Sequence, residues 1–136
     1  MVAAISNIDP VLRKQAEDRC EYCHFPIAFA ELTFQVDHII ARKHGGATEP
    51  DNLALACFYC NSYKGPNIAG IDPRSGEIVR LFHPRNDEWS YHFQWENATL
   101  CGLTPVGRAT IQVLAMNEPN AVAVRESLMS EGVYSP

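Results

Sequence analysis

Two neighbouring residues, Asp37 and His38, and a later amide, Asn61, are the side chains best suited to hydrolytic chemistry in this chain. Breaking a phosphodiester needs a base to activate water, a cation to hold developing charge, and geometry that aligns the attack. His38 supplies an imidazole that is half-titrated near neutral pH, which suits a general base. Asp37 offers a hard oxygen ligand beside it, and Asn61 an amide oxygen. Two oxygen ligands that leave positions for water and phosphate suit Mg²⁺ or Mn²⁺ better than zinc. Lys64 lies three residues beyond Asn61, so on a helix both project from one face, and Lys64 is placed to touch a phosphate. Arg42, Lys43 and His44 form a basic cluster just after His38 and are the other candidates for nucleic-acid contact.

Four of the five cysteines fall in two C-x2-C pairs, Cys20 with Cys23 and Cys57 with Cys60. That is the usual form of a structural tetrathiolate zinc site, with redox dithiols as the alternative reading. The gap between the pairs exceeds that of a simple zinc ribbon, so a folded insert must separate them. His24 is a bystander on this reading, because four thiolates complete a tetrahedron. Cys101 stands apart and reads as a small buried apolar residue.

Short elements must position these groups. Residues 9–19 suggest a helix capped by Asp9, with Pro10 at its first position. It leads into the first cysteine pair, and the apolar stretch 25–32 suggests a turn and short helix over it. Residues 33–40 are β-branched and aromatic and predict a strand. A polar, glycine-rich loop comes next, ARKHGGATEPD, then a second short strand over 53–56. A helix over 58–64 stops at Gly65-Pro66. Side chains of adjacent strand residues point to opposite faces. Asp37 and His38 therefore meet at one site only where the strand ends or bulges, and an irregularity is expected at 37–39.

The sequence changes character after Pro66, which suggests a nuclease-like core over 1–66 and an extension over 67–136. In the extension, residues 71–82 read as a hairpin turning at Pro73–Gly76. Residues 89–95 alternate, with Trp89, Tyr91, Phe93 and Trp95 on one face, and predict a half-buried strand. Thr104-Pro105 starts a helix running to about Asn117, with Val106, Thr110, Val113 and Leu114 on one stripe. Residues 120–131 predict a last helix. The fold class expected is α+β, a ββα core stapled by a four-cysteine zinc site, with a hairpin, a strand and two helices after it.

At 136 residues, 46% hydrophobic and 20% charged, the composition is that of an ordinary globular protein. The opening residues carry neither a basic n-region nor a long apolar run, and no segment approaches the roughly 18 apolar residues of a membrane span. The expectation is a soluble, cytoplasmic protein with no membrane partner. A net charge of −5 counts against tight nucleic-acid binding, which normally uses a basic surface. Modest affinity with steep salt dependence, or help from a partner, is expected.

The string V-D-H-I-I-A-R-K-H-G-G, then D-N-L-A-L-A-C-x-x-C-N-S-Y-K-G, closely resembles the HNH endonucleases of the ββα-metal (His-Me finger) group. The resemblance covers residues 20–65. It implies that His38 is the general base, that Asp37 is a metal ligand, and that Asn52 braces the loop that orients the histidine. The third letter of the family name falls on Asn61 rather than histidine, as in H-N-N members, and asparagine still ligates a hard cation. The resemblance further implies one-metal hydrolysis leaving a 3′-hydroxyl and a 5′-phosphate, and a structural zinc on Cys20, Cys23, Cys57 and Cys60. The strings F-H-P-R-N-D-x-W-x-x-H-F and G-L-T-P-x-G-R-A-T resemble the segment C-terminal to this core in a group of small bacterial HNH proteins, and they imply no activity of their own. Within them, His83, Arg85, His92 and Arg108 are candidates to line a nucleic-acid groove.

The leading expectation is a Mg²⁺- or Mn²⁺-dependent DNA endonuclease. The alternatives are a non-catalytic zinc-stabilised nucleic-acid-binding or adaptor module, and an RNase or toxin, with RNA as the substrate. Sequence specificity and oligomeric state are not encoded legibly.

Overall fold

Proline at the first helical position and a short apolar run give the first element, α1 (Pro10–Gln15). The computed structural model describes residues 10–136, so Asp9, the expected cap, lies outside the described residues. α1 is shorter than the predicted 9–19 because Glu17 and Asp18 both take left-handed backbone, φ 57° and 53°, which a helix cannot continue. The chain turns through the first cysteine pair and a single 3₁₀ turn at Ile27–Phe29. It then enters β1 (Gln35–His38) and pairs antiparallel with β2 (Leu53–Ala56), Asp37 opposite Ala54 and His38 opposite Leu53. α2 (Phe58–Lys64) comes directly after and ends at Gly65, whose φ of 51° disfavours any residue with a Cβ. Strand, loop, strand and helix form the anticipated ββα arrangement, and α2 packs on both strands. Tyr22, Phe34, Ala54 and Leu55 fill its interior.

The chain forms two compact units. The first runs to Ile68 and takes in His83–Asp87; the second comprises Ala69–Phe82 and Glu88–Pro136. The return of His83–Asp87 to the first unit is made by Arg85, whose guanidinium grips Glu21 in a fork at 2.6 and 2.8 Å. Glu21 also accepts the Leu55 amide of β2 at 2.7 Å.

In the second unit β3 (Ala69–Ile71) and β4 (Ile78–Arg80) make the expected hairpin. Residues 89–95 correct the sequence expectation. They are not one strand: a single helical turn, α3 (Trp89–His92), precedes β5 (Phe93–Glu96). The aromatic spacing satisfies both periods, since Trp89 and Phe93 are i and i+4 while Phe93 and Trp95 are i and i+2. Their rings do gather, Trp89 lying 5.1 Å from Phe93 and 6.1 Å from Trp95. Tyr91 instead projects outward, 70% exposed. A further strand not anticipated from the sequence, β6 (Thr99–Gly102), pairs with β5 across a tight turn in which Asn97 takes φ 54°. α4 (Pro105–Val113), capped by the Thr104 hydroxyl, packs on β3, β4 and β6. α5 (Pro119–Ser130) closes the unit through Arg125, which donates to the carbonyls of Ala98 and Met116 and lies over Trp95. Among the described residues no helix is long and apolar enough to cross a membrane.

Asp72 organises the β3–β4 turn. Its carboxylate accepts Arg108 Nε and Nη2 at 2.8 and 2.9 Å, the Arg74 amide at 3.0 Å and the Ser75 hydroxyl at 2.9 Å. The Arg108 hydrogen bonds, aided by those of Arg74 and Ser75, hold this carboxyl far below the usual range. A depressed carboxyl stabilises the fold fully above its unfolded value of about 3.9, and that stabilisation fades as pH falls toward the folded value. Asp72→Asn is therefore expected to lower the melting temperature at neutral pH. Thermal melts should show a deficit that is constant above about pH 5 and shrinks below about pH 4; a deficit independent of pH would contradict the ion-pair account.

Candidate active site

Cys20 and Cys23 lie on a tight knuckle, in which the Cys20 amide donates to Phe25 O and the His24 amide to Cys20 O. Cys57 and Cys60 come from the junction of β2 and α2, where the Cys57 sulfur caps the helix by accepting the Cys60 amide. The four sulfurs lie within 4.8 Å of one another and all four residues are buried. Zn–S bonds of about 2.3 Å in a tetrahedron require sulfur separations near ~3.8 Å. Cys23 Sγ and Cys57 Sγ stand 3.8 Å apart. The Cys20 sulfur accepts the amides of Tyr22 and Cys23 at 3.4 Å. The cluster is thus compatible with a structural zinc. His24 is no part of it; burial, and then Arg19, lower its imidazole to about 4.

The knuckle also reaches Asp37. Tyr22, fully buried between the two cysteines, donates its hydroxyl to Asp37 Oδ2 at 2.7 Å. Lys64, on α2, approaches the same carboxylate at 3.1 Å from Oδ2 and 3.3 Å from Oδ1. Burial raises the Asp37 carboxyl, and the Lys64 charge and Tyr22 hydrogen bond oppose that rise. His38 meets different partners: Nε2 lies 2.8 Å from the Thr48 hydroxyl in the loop between the strands. Pairing stays regular to the end of β1 at His38, continues once through the Ile39 amide to Asn52 O, and the chain bends at Ile39 and Ile40. The ladder shows no bulge, so the side chains of Asp37 and His38 leave opposite faces of the strand. Asp37, His38, Arg42 and Asn61 line one cleft of about 240 Å³.

Asn52 clips the loop shut. Its Oδ1 accepts the Ile40 amide at 2.9 Å, and Nδ2 donates to Ile40 O at 3.0 Å and Ala47 O at 2.8 Å. Gly46 is required by the same closure, since a Cβ there would collide with Ile40 O. Residues 20–67 match the sequence model of the HNH endonuclease family. Residues 20–67 form an HNH domain. No curated protein matches the chain, and no solved structure does.

Eight polar or charged side chains are buried among the described residues, and four of them, Asp37, His38, Asn52 and Lys64, belong to this HNH domain's cleft and its support. Burying polar groups is costly unless they are satisfied, and each of these four has a hydrogen-bond partner. Asn52→Ala would leave the Ile40 and Ala47 groups without these partners. A loss of ~2 kcal/mol in urea-unfolding stability is expected, and a change near zero would mean that the loop closes without the clip.

Lys64 corrects the sequence expectation. It is 1% exposed, and its ammonium is spent on Asp37 and on the carbonyls of His38 and Ile39 at 3.2 and 3.0 Å. A helix face shared with Asn61 did not imply solvent, because β1 covers that face. It is an internal tie. Arg42, Lys43 and His44 form an exposed 3₁₀ turn, and of the three Arg42 lines the cleft. The expected groove residues of the extension are engaged elsewhere in the fold. Arg85 holds Glu21 and Arg108 holds Asp72. His83 Nδ1 accepts the amides of Arg85 and Asn86, and buried His92 meets the Thr104 hydroxyl at 2.6 Å. Cys101 is half-buried and donates to Glu96 at 3.4 Å. Sequence reasoning missed Tyr22 and Thr48. Tyr22 had a signal, a large residue held between two zinc-spaced cysteines; Thr48 had none.

Proposed function

We propose that this protein is a metal-dependent endonuclease that hydrolyses DNA, leaving a 3′-hydroxyl and a 5′-phosphate. The observation that carries this reading is the meeting of Asp37, His38, Asn61 and Arg42 on one cleft within the HNH domain. Asp37 and Asn61 offer the hard oxygen atoms that would hold Mg²⁺ or Mn²⁺, a donor set that fits such ions. When bound, the metal supplies charge to offset that developing on the phosphate. His38 accepts the proton of the attacking water, and the Thr48 hydroxyl fixes the ring that does so. Arg42 contacts the phosphodiester from the rim, while Lys43 and His44 add charge to the approach. Tyr22 and Lys64 hold the Asp37 carboxylate.

The net charge of −5, with Arg85 and Arg108 committed to internal pairs, favours one other reading, a zinc-stabilised adaptor that binds nucleic acid without cutting it. End-labelled DNA and RNA duplexes incubated with zinc-loaded protein and Mg²⁺ or Mn²⁺ separate the two. DNA fragments whose 5′-phosphate and 3′-hydroxyl permit religation are expected. Binding without cutting on either polymer would favour the adaptor, and cutting of RNA alone would replace the substrate.

A further inference from the structure

The innermost charge of the HNH domain is the Lys64 ammonium, held against the carboxylate assigned to the metal. Two protein carbonyls and Asp37 take its hydrogen bonds, which accounts for the three donors of an ammonium group and fixes it in place. Asp37 Oδ2 carries the Tyr22 hydroxyl as well. The residues lining the cleft include no second carboxylate: Asn61 is neutral and Arg42 is positive. Magnesium sites usually draw their negative charge from one or two carboxylates and from substrate phosphates. Here the single carboxylate is already matched by a permanent neighbour of opposite sign, so the protein alone presents a divalent ion with no net negative charge.

We propose that Lys64 is a fixed counter-cation to Asp37, which keeps the divalent metal from being retained until a nucleic-acid phosphate is bound with it. Metal and substrate then bind synergistically, each tightening the other by the same factor. The proposal rests on the endonuclease reading of the cleft. It makes Lys64 a positioning residue: it touches neither substrate nor attacking water and acts through Asp37. The benefit is a site that stays unloaded without substrate in a protein whose surface is otherwise acidic.

The test measures Mn²⁺ binding by the electron paramagnetic resonance signal of the free ion. It uses full-length, zinc-loaded protein carrying His38→Ala, so that nucleic acid remains intact, with and without a saturating DNA duplex. The dissociation constant for Mn²⁺ is expected to fall at least about tenfold with DNA present. Lys64→Met in the same background is expected to bind Mn²⁺ about tenfold more tightly without DNA and to lose most of the further gain. Equal Mn²⁺ affinity with and without DNA, in a protein whose unmutated form cuts DNA, would overturn the proposal and leave the endonuclease reading standing. Weaker Mn²⁺ binding by Lys64→Met under both conditions would make Lys64 a structural tie only. Should that variant not fold, the DNA dependence with Lys64 in place decides the matter. Absence of cutting by the unmutated protein would remove both readings together.

Discussion

Stripping the metal from the four-cysteine cluster, or replacing Cys57 with serine, is expected to unfold the first unit. Its regular structure is slight: α1 has 6 residues, α2 has 7 and the two strands have 4 each. Helices this short are not stable alone, and a core of this size supplies only a few kcal/mol. Structural zinc contributes about 10–16 kcal/mol in small domains, far more than the core. Cys57 is the most sensitive of the four because it ends β2, caps α2 and lies 3.8 Å from the sulfur of the opposite pair. Hydrogen bonds from Cys20 and Cys23 also hold its thiol well below the ordinary value. Treatment with a zinc chelator should therefore expose residues 10–68 to trypsin, and Cys57→Ser should purify without its equivalent of zinc. Cys101→Ser, outside the cluster, should keep both zinc and protection. Persistent protection of this segment in metal-free protein would mean that the packing suffices without a staple.

His38→Ala is expected to lower the cleavage rate by about 10²- to 10⁴-fold, the usual worth of a positioned general base. The stability cost should be small by comparison, about 1 kcal/mol for the lost Thr48 hydrogen bond. His38→Gln tests the same residue while keeping a polar partner for Thr48, and should be equally slow. Zinc content and urea midpoint distinguish a chemical defect from a folding one. A variant that cuts at the unmutated rate with its fold intact would remove His38 from the mechanism.

Much of the first unit is legible in the sequence because its signals are local. The apolar run Leu53–Ala56 bounded by Asn52 and Cys57 defines a strand, and Gly65-Pro66 sets the end of the helix. The polarity of Asp37 and His38 at the end of an apolar stretch points to the cleft. What stays hidden depends on distant contacts. The burial of Lys64 comes from β1 lying over α2, and the Arg85–Glu21 fork joins residues 64 positions apart. No periodicity encodes either. The stretch from Trp89 to Trp95 misleads for another reason: its aromatics fit helix and strand spacing at once, and the turn at Asn97 that selects β5 and β6 carries only a weak local signal. Lys64 also shows that position on a helix face gives direction, while exposure is decided by what packs there.

The most direct test of the central claim is relaxation of supercoiled plasmid by zinc-loaded protein with Mg²⁺, beside EDTA and His38→Ala lanes. Nicked or linear product that requires the divalent ion and vanishes in both control lanes is the predicted result. Intact plasmid in every lane, from protein shown to be folded and zinc-loaded, would contradict the claim that this HNH domain cuts DNA.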